Sequence, residues 1–367
     1  MRAAVVPDTG RLEVATVSLR AIQADEVLVR LDAAAMCITD TLSLDGSGLT
    51  PFPLIPGHSA TGLVVEAGSG TERVSVGDRV VIVGSVQCRR CYYCSHGSPG
   101  ACEQIYGGMN REIGVDRDGN TIHADGGVAT LAEAMIYRES NVVVVDSSAD
   151  PRHLAMLGCG IVSGLGAVLD VAQMEPGDSV TVVGCGHLGL WMIQAARLVG
   201  AGQIIAVEPI EERRMLAARF GATDLVDPAD GDPVEAVRAL TEGRGTDVAL
   251  EAAGRTAAME QAFAMTRGGG TMVPTGMESP TATVTLHGYE FAIGSKRILS
   301  SQTGGGDIID MIPRFARLMD DGRLDPAAMV TDVYDLDDIA TAFEDLRNRK
   351  GITGIVRLNA PESGELT

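Results

Sequence analysis

Between residues 179 and 208 the chain passes from an apolar stretch, SVTVV, through Gly184, Gly186 and Gly189, into a helical apolar pattern and then a second apolar stretch closed by Glu208. No other feature constrains the fold as much. A G-x-G-x-x-G turn between a strand and a helix belongs to a βαβ unit. Its first glycine permits the turn, its second lets backbone amides approach a pyrophosphate, and its third lets helix pack on strand. The helix N-terminus then attracts the anion. Glu208, 19 residues past Gly189, is placed to accept hydrogen bonds from an adenosine ribose. Its charge repels a 2′-phosphate, so NAD is expected over NADP. His187 and Leu188 complete the loop as coenzyme-contact positions, His187 reading either as a phosphate contact or as a solvent-facing side chain. Cys185, inside the loop, reads as a packing residue.

The same rhythm continues around this unit. Strands are expected at 179–183, 203–207, 224–226, 247–250 and 270–274, with helices at 188–198, 210–220, 233–240 and 257–264. Alternation of this kind predicts an α/β doubly wound parallel sheet. Before it, short β-rich runs at 26–31, 62–66, 79–83 and 141–145 are separated by Gly, Pro and Asp, which reads as an irregular, mostly antiparallel β domain. After residue 304 the chain offers helices at 308–320 and 336–348, a strand near 352–358, and a polar tail at 360–367. A length of 367 residues suits two domains.

Composition narrows the function classes. A formal net charge of -20 argues against nucleic acid or an anionic membrane as partner, because both are polyanions. The start, MRAAVV, runs straight into a strand-like pattern, and the sequence shows no long uninterrupted apolar run, so a cytoplasmic protein is expected. The seven cysteines are an odd number with tight C-x2-C spacing, which favours thiolates on metal over disulfides.

Cys88, Cys91, Cys94 and Cys102 form C-x2-C-x2-C-x7-C within the polar segment 88–102. Such a segment has no core of its own, but four thiolates saturate a tetrahedral zinc, so the lobe reads as a closed structural site. Three further candidate ligands, Cys37, His58 and Cys159, lie far apart. Spacing alone does not join them. Each by itself reads more readily as a buried small hydrophobe or a satisfied histidine than as a metal ligand.

Their contexts are more specific: C-I-T-D at Cys37, I-P-G-H at His58, and G-C-G-I-V-S-G-L-G at Cys159. With V-x-x-G-D-R-V, the cysteine lobe, G-C-G-H-L-G and Glu208 in the same order, the chain resembles the zinc-dependent medium-chain dehydrogenase/reductase family, the alcohol dehydrogenases, from residue 1 to 358. The resemblance implies a GroES-like catalytic domain at 1–157 and 303–367, and a Rossmann coenzyme domain at 158–302. It implies two zinc ions per chain, one structural and one catalytic, with Cys37, His58 and Cys159 holding the catalytic ion and leaving its fourth position free. Thr39 then matches the hydroxyl that takes the alcohol proton, and Asp40 the carboxylate that orients His58. Ser163 and Thr275, Gly276 and Met277 match nicotinamide contacts, and Arg213 a basic residue near the adenosine ribose.

The implied reaction is reversible hydride transfer between a small alcohol and NAD, giving an aldehyde or ketone. A homodimer is implied, with a homotetramer as the alternative assembly. Several positions depart from the family pattern. Ser59 stands where a glutamate usually follows the histidine, Leu42 replaces a proton-relay histidine, and Ile38 and Thr353 replace arginines that grip the pyrophosphate in some relatives. Gly84 and Leu131 fall at expected pocket walls and are small, which favours a bulky, apolar or aromatic alcohol. A non-catalytic nucleotide-binding relative, or one holding its coenzyme tightly, would keep most of the same motifs. Zinc analysis combined with alcohol-dependent NADH absorbance separates these readings.

Overall fold

The computed structural model describes residues 1–48, 50–105, 110–279 and 281–359, and the polar tail at 360–367 lies outside them. The chain forms two compact units, Met1–Cys159 with Asp307–Thr367, and Gly160–Gly306.

The first unit is built around the strand Glu26–Ala35, buried except at Leu28 and Arg30. The strand outruns the expected 26–31 because its last residues, Ala33–Ala35, have weak strand propensity and are held by pairing on both edges rather than by local preference. Among the described residues it lies in a seven-stranded sheet. The order is Val142–Val144, Arg79–Val83, Ser59–Ala67, Glu26–Ala35, Thr353–Arg357 and Val330–Asp335, with Ala134–Arg138 also pairing Glu26–Ala35. Thr353–Arg357 runs antiparallel to Glu26–Ala35, with Val356 opposite Ala34, so the C-terminal segment joins the N-terminal one in a single sheet. Val330–Asp335 pairs parallel with Thr353–Arg357, and the helix Ile339–Arg347 makes the crossover. Sequence reading missed Val330–Asp335 because it is an edge strand carrying Asp332 and Asp335. The expected helix at 336–348 is in fact a 3-10 turn, Leu336–Asp338, followed by Ile339–Arg347. A second sheet contains Ser18–Leu19, Arg111–Val115, Thr121–Ala124 and Leu54–Ile55. Val27, Leu31, Ile82, Ile113, Tyr137 and Phe343 are part of the core beneath these sheets.

The second unit has six parallel strands in the order Asp224–Val226, Gln203–Val207, Ser179–Val183, Thr246–Glu251, Thr266–Pro274 and Arg297–Ile298 among the described residues. Every neighbouring pair is parallel. This is a doubly wound sheet whose order reverses between Ser179–Val183 and Thr246–Glu251, the place where such sheets bind ligands. Val183, Ile205, Val207, Ala249, Phe263 and Met272 pack one of its cores. The helix His187–Val199 buries Leu190, Trp191, Met192 and Ile193 and approaches Gly164 closely. An ideal Cβ on Gly164 would stand 2.6 Å from Trp191 Cβ.

The helix Pro151–Val171 has the length and apolar composition to cross a membrane, but 72% of its apolar window is buried inside the protein, as in a core helix.

Candidate metal centres and coenzyme site

Cys37 leaves the central strand of the first unit and opens the short turn Ile38–Asp40. The turn brings the Asp40 carboxylate back onto its own start, where Oδ2 accepts the Cys37 backbone N–H at 2.8 Å. The other oxygen, Oδ1, accepts His58 Nδ1–H at 2.8 Å. With Nδ1 protonated, Nε2 keeps its lone pair free for a metal. That nitrogen faces Cys159 Sγ at 3.4 Å, and Thr39 Oγ1 donates to Cys37 Sγ at 3.2 Å. Cys159 itself lies in a π-type helical turn, Leu157–Ile161.

The donor atoms of Cys37, His58 and Cys159 all lie within 4.8 Å of one another. Zinc with Zn–S of about 2.3 Å and Zn–N of about 2.0 Å in tetrahedral geometry separates N and S by about 3.5 Å, so the set fits. Three ligands leave one position open. The hydrogen bond from Cys159 outweighs burial and holds the Cys37 thiol well below its ordinary range. Cys159 is pushed well above by that same bond and by burial. For His58, burial favours the neutral ring, but the charges of Asp40 and Cys159 raise it well above the usual value. The cluster thus concentrates negative charge around a retained proton, which a divalent cation can displace.

Cys88, Cys91, Cys94 and Cys102 form a second set with donor atoms within 4.8 Å of one another. Cys91 Sγ and Cys102 Sγ are 3.9 Å apart, against about 3.8 Å for two thiolates on a tetrahedral zinc. Backbone amides of Cys88 and Gln104 donate to Cys102 Sγ at 3.3 Å, and that of Cys91 to Cys88 Sγ at 3.3 Å, the kind of partner that stabilises thiolates. All four positions are filled by protein.

In the second unit Gly184 has φ +90°, and an ideal Cβ on Gly189 would meet the Gly184 carbonyl oxygen at 1.9 Å. Both positions require glycine. Gly186 caps the helix His187–Val199, and an ideal Cβ there meets only the Arg213 guanidinium, at 3.7 Å, leaving the loop open to a ligand. Glu208 is buried, with Oε2 accepting the Cys185 N–H at 2.7 Å and Oε1 the Ile210 N–H at 3.1 Å. Gly184, Gly186, Gly189, Glu208 and Arg213 thus converge.

His187 is half-buried on the first turn of the helix His187–Val199. An ideal Cβ on Gly160 would collide with its Nε2, and its ring meets Trp191 edge-on at 6.5 Å. Leu188 is half-buried on the first turn of the same helix. Cys185 is fully buried, and burial pushes its thiol far up, as expected of a packing residue.

Thr275 and Gly276 follow the strand Thr266–Pro274, and their amides donate to the Glu251 carbonyl at 2.9 and 3.2 Å. Ser163, half-buried on Val162–Gly166, and the exposed Met277 stand outside these hydrogen-bonded sets. Sequence reading missed Glu251. Its Oε1 accepts the amides of Ala253 and Gly254 at 2.8 and 2.7 Å, and burial raises its pKa. It shapes the loop against which Gly276 packs, since an ideal Cβ on Gly276 would meet Gly254 N at 2.2 Å. The signal was present as an acidic residue closing a strand, followed three residues later by a glycine.

The departures also find places. Ser59 is buried, Ile38 and Leu42 are exposed, and Thr353 is buried at the start of its strand. Gly84 lies against His58, its ideal Cβ 3.4 Å from His58 Cβ. Leu131 instead belongs to the apolar core at 1% exposure, so the expectation of a pocket wall there is corrected: Leu131 serves packing.

Residues 23–147 match the alcohol dehydrogenase GroES-like domain, and residues 188–320 match the zinc-binding dehydrogenase domain. The chain is 30% identical to an S-(hydroxymethyl)glutathione dehydrogenase of Synechocystis, over 97% of this chain and 99% of that one. Benzyl alcohol dehydrogenase from Acinetobacter calcoaceticus superposes with a TM-score of 0.91 at 30% identity, over 98% of this chain and 99% of that one. A Sinorhizobium meliloti protein, described as a zinc-binding dehydrogenase and bound to NADP, superposes at 0.82 with 26% identity, over 97% and 98%. Cys37, His58 and Cys159 form the catalytic zinc site and the four-cysteine set the structural one. Because likeness runs nearly the full length and through both domains in order, this chain belongs to the zinc-dependent alcohol dehydrogenases of the medium-chain dehydrogenase/reductase family.

Proposed function

We propose that the protein is an NAD-dependent alcohol dehydrogenase that interconverts a bulky, apolar or aromatic alcohol with its aldehyde or ketone. The observation that carries this reading is the convergence of Thr39 and Asp40 on the zinc-ligand set. When bound, zinc supplies Lewis acidity toward an alcohol oxygen and NAD supplies the hydride acceptor.

The chain's own groups have separate tasks. Asp40 fixes the tautomer and orientation of His58, and the Cys37 amide fixes Asp40. Thr39, whose hydroxyl lies 3.2 Å from Cys37 Sγ, takes the alcohol proton and passes it outward. Leu42 offers no titratable group to receive that proton from Thr39. Gly184, Gly186 and Gly189 would admit the pyrophosphate, with His187 and Leu188 as further contacts on that turn. Glu208 and Arg213 would hold the adenosine ribose, with Glu208 disfavouring a 2′-phosphate, and Ser163 with Thr275, Gly276 and Met277 would hold the nicotinamide.

Gly84 beside His58 and the benzyl alcohol dehydrogenase likeness support a bulky substrate. The named glutathione-adduct relative supplies the competing substrate to include. The deciding experiment is NADH formation on ethanol, benzyl alcohol, cinnamyl alcohol and S-(hydroxymethyl)glutathione, each with NAD and NADP. A preference for ethanol or the glutathione adduct, or for NADP, overturns the corresponding part.

We also place the protein in the cytoplasm, where a reducing environment keeps ligand thiols available, and as a homodimer, with a homotetramer as the alternative. Exposed Tyr289, Phe291, Ile293 and Ile298 near the edge strand of the second unit support association. Native mass measurement decides it.

A further inference from the structure

Beside the four-cysteine lobe, a cavity of about 390 Å³ is lined by Arg73, Arg89, Arg90 and Arg138, together with Gln87 and Ser140. Four guanidiniums around one cavity are unusual in a chain of net charge -20. The protein neutralises two of them. Arg89 pairs with Asp307 at 2.7 Å, and Arg73 lies 3.8 Å from the Glu139 carboxylate while donating to its carbonyl at 3.0 Å.

Arg90 and Arg138 have no carboxylate partner among the described residues. Arg138 stands opposite Glu26 across the strand pair, but that carboxylate is already taken by Arg20 at 2.6 and 2.7 Å and by Arg111 at 2.7 Å. Gln87 provides the second observation. It is 6% exposed, its Oε1 accepts the Ile308 N–H at 3.2 Å, and its Nε2 is buried with no acceptor among the described residues. Buried donors are rarely left so.

We propose that this cavity binds an oxyanion, the phosphate or carboxylate group of a small metabolite. Guanidiniums pair bidentately with such groups, and the Gln87 amide and Ser140 hydroxyl complete the donors. A bound anion would bridge Arg90, within the cysteine lobe, to Arg138 at the end of the strand Ala134–Arg138, and so fasten the lobe to the sheet.

The test is calorimetric titration of the zinc-loaded protein with inorganic phosphate and, separately, with succinate, at constant ionic strength with chloride as control. Saturable binding of one anion per chain is expected. R90Q and R138Q should each weaken it about tenfold or more, and R138K less, because lysine keeps the charge but not the fork. Tighter phosphate binding assigns a phosphate ligand, and tighter succinate binding a carboxylate. Zinc content and thermal unfolding, measured alongside, confirm that the variants are folded. Absence of saturable binding in the wild type overturns the proposal. So does undiminished binding in R90Q and R138Q, including the case in which they lose structural zinc, which would mean that the arginines only balance the thiolate charge.

Discussion

Ser59 Oγ donates to the Ala155 carbonyl at 2.6 Å, with both groups buried. The bond joins the residue after His58 to the segment leading into Cys159, and so helps set the separation of two zinc ligands. An ideal Cβ on Gly158 would fall 2.7 Å from this hydroxyl and 2.2 Å from the Ile82 carbonyl oxygen, so the neighbourhood has little spare volume. Ser59→Ala should therefore cost about 1–3 kcal/mol of stability by orphaning a buried carbonyl. Ser59→Glu should cost more, because a larger carboxylate must enter the same space. Urea unfolding of the two variants checks both values, and a glutamate variant as stable as the wild type contradicts the packing argument.

Asp40 binds His58 and the Cys37 amide simultaneously. Asp40→Asn should lower zinc affinity at the catalytic set by about 10- to 100-fold and reduce turnover, while the four-cysteine zinc stays bound. Chelator competition followed by metal analysis reads this as selective loss of one of two ions.

Zinc in the four-cysteine lobe is structural, so its loss should act through folding. Cys94→Ser should leave about one zinc per chain and open the segment around 88–102 to protease, whereas Cys159→Ser should leave about one zinc and a protected lobe. Limited proteolysis paired with metal analysis distinguishes the two variants.

Glu208 accepts two loop amides, and the proposed preference for NAD rests on its negative charge. Glu208→Ala should raise the ratio of kcat/KM for NADP over NAD by about tenfold or more, since like-charge opposition is removed. An unchanged ratio would show that another residue selects the coenzyme.

Glu26 reports on acid stability. Burial opposes its ionisation, but hydrogen bonds from Arg20 and the Gln23 amide, with the charge of Arg111, outweigh it and hold the carboxyl at about 2. A lowered folded pKa means this stabilisation is complete above the ordinary value of 4.5 and fades as pH falls toward about 2. The Tm difference between wild type and Glu26→Gln should be largest above pH 4.5 and shrink below it. A gap that stays constant down to pH 2.5 would assign the Glu26 contribution to packing instead.

The strand 179–183, the glycine turn and Glu208 were legible because their information is local: period, turn chemistry and a carboxylate at fixed distance all lie within 30 residues. The four-cysteine lobe was legible for the same reason. The strand Val330–Asp335 and the last part of Glu26–Ala35 were hidden, because edge charges and alanines carry little local preference and sheet pairing decides their conformation. Leu131 was misread because burial depends on what covers a residue. The sequence by itself determined which residues are able to bind metal and coenzyme. Only the tertiary structure decided that Cys37, His58 and Cys159, up to 122 positions apart, meet within 4.8 Å. It also decided that Arg90 and Arg138 line one cavity with no carboxylate in its lining among the described residues. Chain folding alone sets such distances, because contacts between remote segments depend on sheet register and packing rather than on any residue's own propensity.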